Sequence, residues 1–409
     1  MPNPIRVLVV DDSAFMRGAL TRSIEADPRF KVIDTAADGK QAIEKAMRLK
    51  PDVVTLDVEM PIMNGIEALK TIVSRSTIPV IMVSAVTDSG AKVTMDALEM
   101  GAVDFIPKSK GAELIHEKLL AALSANPARR GFARGLQERI QAQGKGLTQL
   151  RGKTDLDPKQ KGKPAPERPE HALRPSRPGG LPQPQPQIEA KAPAALRPPA
   201  PGIARAPVAP RVSSKQDISY IRVPAKIVVI GSSTGGPQAL QEVIGQLPAN
   251  LPVPVVVAQH MPPQFTTALA KRLDETCQPK VVEARDGEPL VRGTVYIGPG
   301  GMHLRVSRDE IRVNESKGES LYKPSVDVLA ESVLAAFGKN VLGVMLTGMG
   351  NDGMIEFVKL HKHGAYTVAQ DQNTCVVYGM PRAIVDAGAA NEVLPIEQIG
   401  LRIRSAFGL

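Results

Sequence analysis

Apolar residues in this chain gather into short unbroken runs, and between the runs they recur at helical spacing. Runs of four to eight apolar residues bounded by turn formers predict buried strands, and a 3.6-residue repeat predicts helices. In the first 125 residues such runs stand at 5–10, 31–35, 53–56, 80–84 and 104–106, and Phe15, Leu20 and Ile24 begin the first helical pattern. Strands that alternate with helices predict a doubly wound five-stranded parallel sheet with helices on both faces. Further runs stand at 226–230, 253–258 and 341–346, with a helix expected over 238–247, so the C-terminal part reads as a second α/β, mostly parallel, Rossmann-like sheet.

Between these parts the pattern stops. Residues 129–215 hold 18 Lys+Arg, 6 Asp+Glu and 15 of the 36 prolines, with Phe132 the only aromatic, so this stretch is net +12 and the rest of the chain −3. Such a segment has too little apolar surface to offset its ordering entropy. Pro-Gln-Pro-Gln-Pro at 182–186 and Arg-Pro-Pro-Ala-Pro at 197–201 favour a polyproline II spacer. The organisation expected is a domain at 1–125, a basic disordered linker at 126–222 and a domain at 223–409. The overall +9 therefore belongs to a tether. Aromatics at 3% argue against a base-stacking surface, and no apolar run is long enough for a membrane span, so neither nucleic acid nor membrane insertion is expected. Cys277 and Cys375 make no disulfide framework, and the N-terminus runs straight into a strand, so a cytoplasmic protein is expected.

In α/β sheets functional groups collect beyond the carboxyl ends of the strands. Asp11 and Asp12 follow the first run, Asp57 the third, Ser84 ends the fourth and Lys108 follows the fifth. Three carboxylates in one place repel unless a cation sits among them, and an all-oxygen set suits Mg2+. Asp57 could then take up a phosphoryl group with Lys108 balancing its charge. Val-Val-Asp-Asp-Ser at 9–13, Thr-Leu-Asp-Val-Glu-Met-Pro-Ile-Met-Asn-Gly at 55–65, Val-Ser-Ala-Val-Thr at 83–87 and Asp-Phe-Ile-Pro-Lys at 104–108 resemble a two-component receiver domain, which is flavodoxin-like. The resemblance implies phosphorylation of Asp57 and Mg2+ on Asp11, Asp12, Asp57 and the main chain of Glu59. It also implies a switch through Ser84, Phe105 and Lys108. Ser109 stands where many receivers have proline.

In the C-terminal part the run at 226–230 leads into Gly231-Ser-Ser-Thr-Gly-Gly236, with Pro237 suited to a first helical turn. The turn fits G-x-S-x-G with Ser233 at its centre, and Ser232 and Thr234 bring hydroxyls nearby. It lacks the Lys-Ser/Thr of a phosphate loop. A serine needs a base, and the base needs a carboxylate; His260 follows the second run and Asp352 the third. The Gly348-Met-Gly350 turn offers main-chain N–H groups for an oxyanion. His303, ahead of an alternating stretch, is a candidate substrate-side group.

Ile-Gly-Ser-Ser-Thr-Gly-Gly-Pro at 230–237, Ala-Gln-His-Met-Pro at 258–262, Leu-Thr-Gly-Met-Gly-Asn-Asp-Gly at 346–353 and Tyr-Gly-Met-Pro-Arg at 378–382 resemble the catalytic domain of chemoreceptor protein-glutamate methylesterases, the CheB type. The resemblance implies Ser233, His260 and Asp352 as a triad, with Thr234 and Met349 at the oxyanion. It implies hydrolysis of glutamate methyl esters on methyl-accepting chemoreceptors, deamidation of receptor glutamines, and no cofactor for the esterase step. A histidine kinase of the chemotaxis pathway would be the phosphodonor. Asn351 stands where a small residue is common. The rival reading is a non-catalytic response regulator that acts by protein contact; labelling of Ser233 by a serine-reactive probe discriminates.

Overall fold

The protein is described by a computed structural model covering residues 3–85, 87–125, 211–212, 222–315 and 321–409. Most of the segment read as a linker, 126–222, thus lies outside the described residues.

The N-terminal strands are β1 (Ile5–Val10), β2 (Phe30–Ala36), β3 (Val53–Asp57), β4 (Val80–Ser84) and β5 (Asp104–Pro107). They pair in the order β2-β1-β3-β4-β5, all parallel, which is the doubly wound order expected. The helices between them are α1 (Ala14–Glu25), α2 (Gly39–Leu49), α3 (Gly65–Arg75) and α4 (Asp88–Glu99), and α5 (Gly111–Ser124) follows β5. Ser13, Asp38, Asn64 and Thr87 each cap a helix by accepting a main-chain N–H with the side chain, which places four starts where polar residues precede the apolar repeats.

The C-terminal sheet has eight strands, every one parallel to its neighbour. Its centre is β7 (Ile227–Ser232), flanked by β8 (Val255–Gln259) and β13 (Val341–Met345), and all residues of these three are buried. Beyond β8 lie β10 (Thr294–Ile297) and β9 (Lys280–Glu283); beyond β13 lie β14 (Tyr366–Gln370), β15 (Glu392–Leu394) and the two-residue β6 (Arg211–Val212). An antiparallel hairpin of β11 (His303–Val306) and β12 (Ile311–Asn314) stands apart. The helices are α6 (Gly236–Gly245), α7 (Phe265–Thr276), α8 (Val326–Phe337), α9 (Met354–Lys362), α10 (Met380–Asp386) and α11 (Ile396–Ala406). From β7 the chain winds outward through β8, then returns to add β13 on the other side. That reversal between β7 and β13 is where an open parallel sheet leaves a crevice.

The two sheet domains touch. Phe105 at β5 stacks on Phe265 at the start of α7, ring centroids 4.2 Å apart. Arg272 on α7 donates to Glu99 at 2.9 Å and to Asp96 at 3.1 Å, both on α4. Thr234, beside the predicted nucleophile, donates its hydroxyl to Asp104 Oδ2, which Lys118 also holds at 2.7 Å. No helix among the described residues is long and apolar enough to cross a membrane.

Candidate active site and phosphoacceptor pocket

Ser233 sits on the turn between β7 and α6. Gly235 there has φ 77°, and a Cβ on it would lie 2.5 Å from Val376, so the bend admits glycine alone. The main chain around the serine is pinned from three sides. Ser233 N–H donates to Thr347 O at 3.0 Å, Thr347 Oγ1 donates to Thr234 O at 3.0 Å, and Gln259 Nε2 donates to Ser233 O at 2.9 Å. Of the three adjacent hydroxyls, Ser232 is spent on Gln259 Oε1 at 2.6 Å and Thr234 on Asp104. Ser233 is the one that lines the cleft.

His260 follows β8 directly, and its Nε2 meets Asp352 Oδ2 at 2.7 Å. Nδ1 is buried and takes no hydrogen bond. Asp352 lies at the N-terminus of α8, where Ser325 Oγ and Asp327 N–H donate to Oδ1 at 2.9 and 3.2 Å and Val326 N–H donates to Oδ2 at 2.7 Å. Burial pushes this carboxyl up, but the His260 hydrogen bond and charge, with the Val326 and Asp327 N–H groups, outweigh it and hold the pKa below the usual carboxylate value. The arrangement is reciprocal, since Asp327 accepts Glu356 N–H in the first turn of α9 at 2.9 Å.

Two expectations need correction. Gly348 N–H, in the turn read as an oxyanion site, donates to Val377 O at 3.1 Å and is not free for a ligand. The N–H groups of Thr234 and Met349 make no hydrogen bond among the described residues. His303 is fully buried and does not line the cleft, contrary to the substrate-side reading.

The cleft has a volume of about 300 Å³. Ser233, His260, Pro263 and Tyr322 line one side; Phe105, Pro107, Leu114 and Glu117 of the N-terminal domain line the other. The first domain therefore forms a wall of the site that carries Ser233.

At the carboxyl ends of the first sheet, Asp11, Asp12 and Asp57 each bring an oxygen within 4.8 Å of the others. Lys108 Nζ lies 2.8 Å from Asp57 Oδ2 and 3.1 Å from Asp11 Oδ2, and the latter oxygen is buried without a hydrogen bond. Three carboxylates that converge in an all-oxygen cluster fit a hard divalent cation such as Mg2+. Glu59 and Ser84 line the same small pocket, whereas Phe105 is at the domain contact. Burial works against the Lys108 ammonium, yet Asp57 and Asp11 together keep its pKa above the ordinary value.

The Asp57 carboxyl is pushed up to about 6, first by burial and also by the Asp11 charge, against the pull of Lys108. With the folded pKa above the ordinary 3.8, ionising Asp57 costs stability, so the full contribution is present below about pH 4 and lost as pH rises through about 6. Asp57→Asn is expected to raise the Tm in metal-free buffer at pH 7.5, the gain vanishing near pH 4. Calorimetry across that range checks it; a lower Tm for the variant at pH 7.5 contradicts it.

Residues 228–403 match the CheB methylesterase family, and residues 7–120 match the response regulator receiver domain. A protein-glutamate methylesterase/protein-glutamine glutaminase of Oleidesulfovibrio alaskensis is 41% identical over 98% of this chain and 99% of its own length. The chain belongs to that family. A methylesterase/glutaminase of Symbiobacterium thermophilum is 40% identical over 99% of this chain and 98% of its own. The crystal structure of the Thermotoga maritima CheB methylesterase catalytic domain is 42% identical, covering 44% of this chain and 97% of that one, with a TM-score of 0.43.

Within this methylesterase-family frame, the structure adds residues that the linear reading passed over. Gln259 joins the Ser232, Ser233 and His260 backbones or side chains through three hydrogen bonds. Ser325, Val326 and Asp327 seat Asp352, and their signal was a helix start: Pro-Ser ahead of an apolar repeat. Tyr322, stacked on His260, carried no such signal.

Proposed function

We propose that this chain hydrolyses methyl esters of glutamate on chemoreceptor helices and deamidates particular receptor glutamines, with Ser233 as nucleophile, His260 as base and Asp352 as the base's carboxylate. The observation that carries this reading is the 2.7 Å bond between His260 Nε2 and Asp352, made in the wall of a cleft that also displays Ser233. Because Nε2 is occupied, the proton of Ser233 passes to Nδ1. Ser233 Oγ bonds to the ester carbonyl carbon, and the resulting oxyanion meets the Thr234 and Met349 N–H groups, worth about 3 kcal/mol per well-aimed donor. The bond to the methoxy oxygen breaks as Nδ1 returns the proton, and methanol leaves. Water then adds to the acyl-enzyme with His260 again as base, freeing glutamate and restoring Ser233. A glutamine side chain follows the same course with ammonia as leaving group.

The receiver controls this cleft in the same proposal. Phosphorylation of Asp57 by the pathway's histidine kinase shifts the balance toward an arrangement in which Phe105, Leu114 and Glu117 no longer wall the site. A divalent cation held by Asp11, Asp12, Asp57 and the Glu59 main chain would neutralise charge on the phosphoryl oxygens. Lys108 supplies a further positive charge at the same place. The test is methanol release from methylated receptor membranes, with and without a small phosphodonor, in wild type and Asp57→Asn. Faster release with phosphodonor in wild type alone is expected. Equal rates throughout refute the control, and no methanol under any condition refutes the substrate.

A further inference from the structure

Leu321, Tyr322 and Lys323 line the cleft, and the Tyr322 ring lies flat on the His260 imidazole: centroids are 4.1 Å apart and the planes 7° from parallel. Nothing in the hydrogen bonding of His260 does this job. Its one ring bond, Nε2 to Asp352, fixes a point but leaves rotation about that contact open, and Nδ1 is unbonded. A flat surface against the ring removes the rotation. The supporting segment is itself held, because Gly301 N–H donates to Lys323 O at 3.0 Å and Ser325 Oγ donates to Asp352 at 2.9 Å. One stretch of chain thus braces the base from its face, through Tyr322, and holds the carboxylate, through Ser325, Val326 and Asp327. The Tyr322 hydroxyl stands 3.5 Å from Glu117 Oε1, at the outer limit of a hydrogen bond, while the ring lies flat on His260. Burial, with the Glu117 and Asp352 charges, pushes the phenol up to about 12, so it stays neutral. An electron-rich neutral ring against an imidazole face is attractive, more so when the imidazole gains a proton.

We propose that Tyr322 is a positioning residue for the base: its ring sets the plane in which His260 Nδ1 meets the Ser233 hydroxyl, and it favours the imidazolium formed when the proton moves. The inference rests on the serine-esterase reading above. It is tested in the full chain with phosphodonor present. Tyr322→Leu should lower kcat for methanol release by about 10- to 100-fold, the scale of a misplaced catalytic group, with KM changed less than about twofold. Tyr322→Phe keeps the ring and should recover kcat to within about twofold. The rate of Ser233 labelling by a fluorophosphonate should fall and recover in the same order.

Wild-type labelling without methanol release defeats the ester substrate but leaves Tyr322 judged on the labelling series. A wild-type chain that neither labels nor releases methanol overturns both readings. Tyr322→Leu with wild-type kcat and labelling overturns the proposal. So does a change confined to KM, or a Phe variant as slow as Leu. Should the Leu variant melt early, Tyr322→Met, long but not flat, takes its place with the same expected outcomes.

Discussion

Ser233→Ala is expected to reduce methanol release about 10⁶-fold, the scale at which removing a serine nucleophile leaves only binding and oxyanion stabilisation. The fold should survive the change. The turn is held by main-chain bonds from Ser233 to Thr347 and from Gln259 to Ser233, and none of them uses the hydroxyl. The neighbouring serine gives the contrast. Ser232 spends its hydroxyl on buried Gln259 at 2.6 Å, so Ser232→Ala should lower the Tm while leaving far more activity than Ser233→Ala. Methanol release and thermal melts of both variants check the pair. A Ser233→Ala rate above about one-hundredth of wild type would move the nucleophile elsewhere.

Asp352→Asn is expected to lower kcat about 10⁴-fold, through the tautomer of His260 in one amide orientation and through loss of the charge that favours the imidazolium in the other. The four groups around this carboxylate are all donors: Ser325 Oγ–H, Val326 N–H, Asp327 N–H and His260 Nε2–H. An amide has one oxygen to offer them. With its NH2 toward Val326 and His260, the imidazole must accept at Nε2, so its proton moves to Nδ1, where the Ser233 proton would have to go. With NH2 toward Ser325, the hydroxyl can rotate but the Asp327 N–H cannot. Either way a buried donor faces a donor, at about 1–3 kcal/mol of stability. The variant should therefore melt below wild type with KM little changed. A kcat within tenfold of wild type would refute the role assigned to Asp352.

The parts of this architecture that the linear sequence displays are those whose chemistry is local. Central strands such as β7, β8 and β13 are buried on both faces, so they read as continuous apolar runs. Their carboxyl ends follow from the runs, and Ser233, His260 and Asp352 with them. Strand β15 is hidden for a physical reason: it begins with Glu392, buried because Arg402 on α11 pairs with it at 2.6 and 2.8 Å. A charge satisfied ten residues away reads as a loop. Strand β9 is edge-like, with Lys280 exposed. The loss of Gly348 N–H to Val377 and the stacking of Tyr322 on His260 depend on pairs 29 and 62 positions apart, and no periodicity records them. The contact of Phe105 with Phe265 joins two domains, each of which reads as complete on its own.

Lys108 grips Asp57, while its near neighbours Pro107, at the end of β5, and Lys110 line the cleft beside Ser233. Four consecutive residues, 107–110, serve both places. Under the proposed control, a signal at Asp57 reaches the cleft wall through this one stretch, so its length sets how directly the two sites are geared.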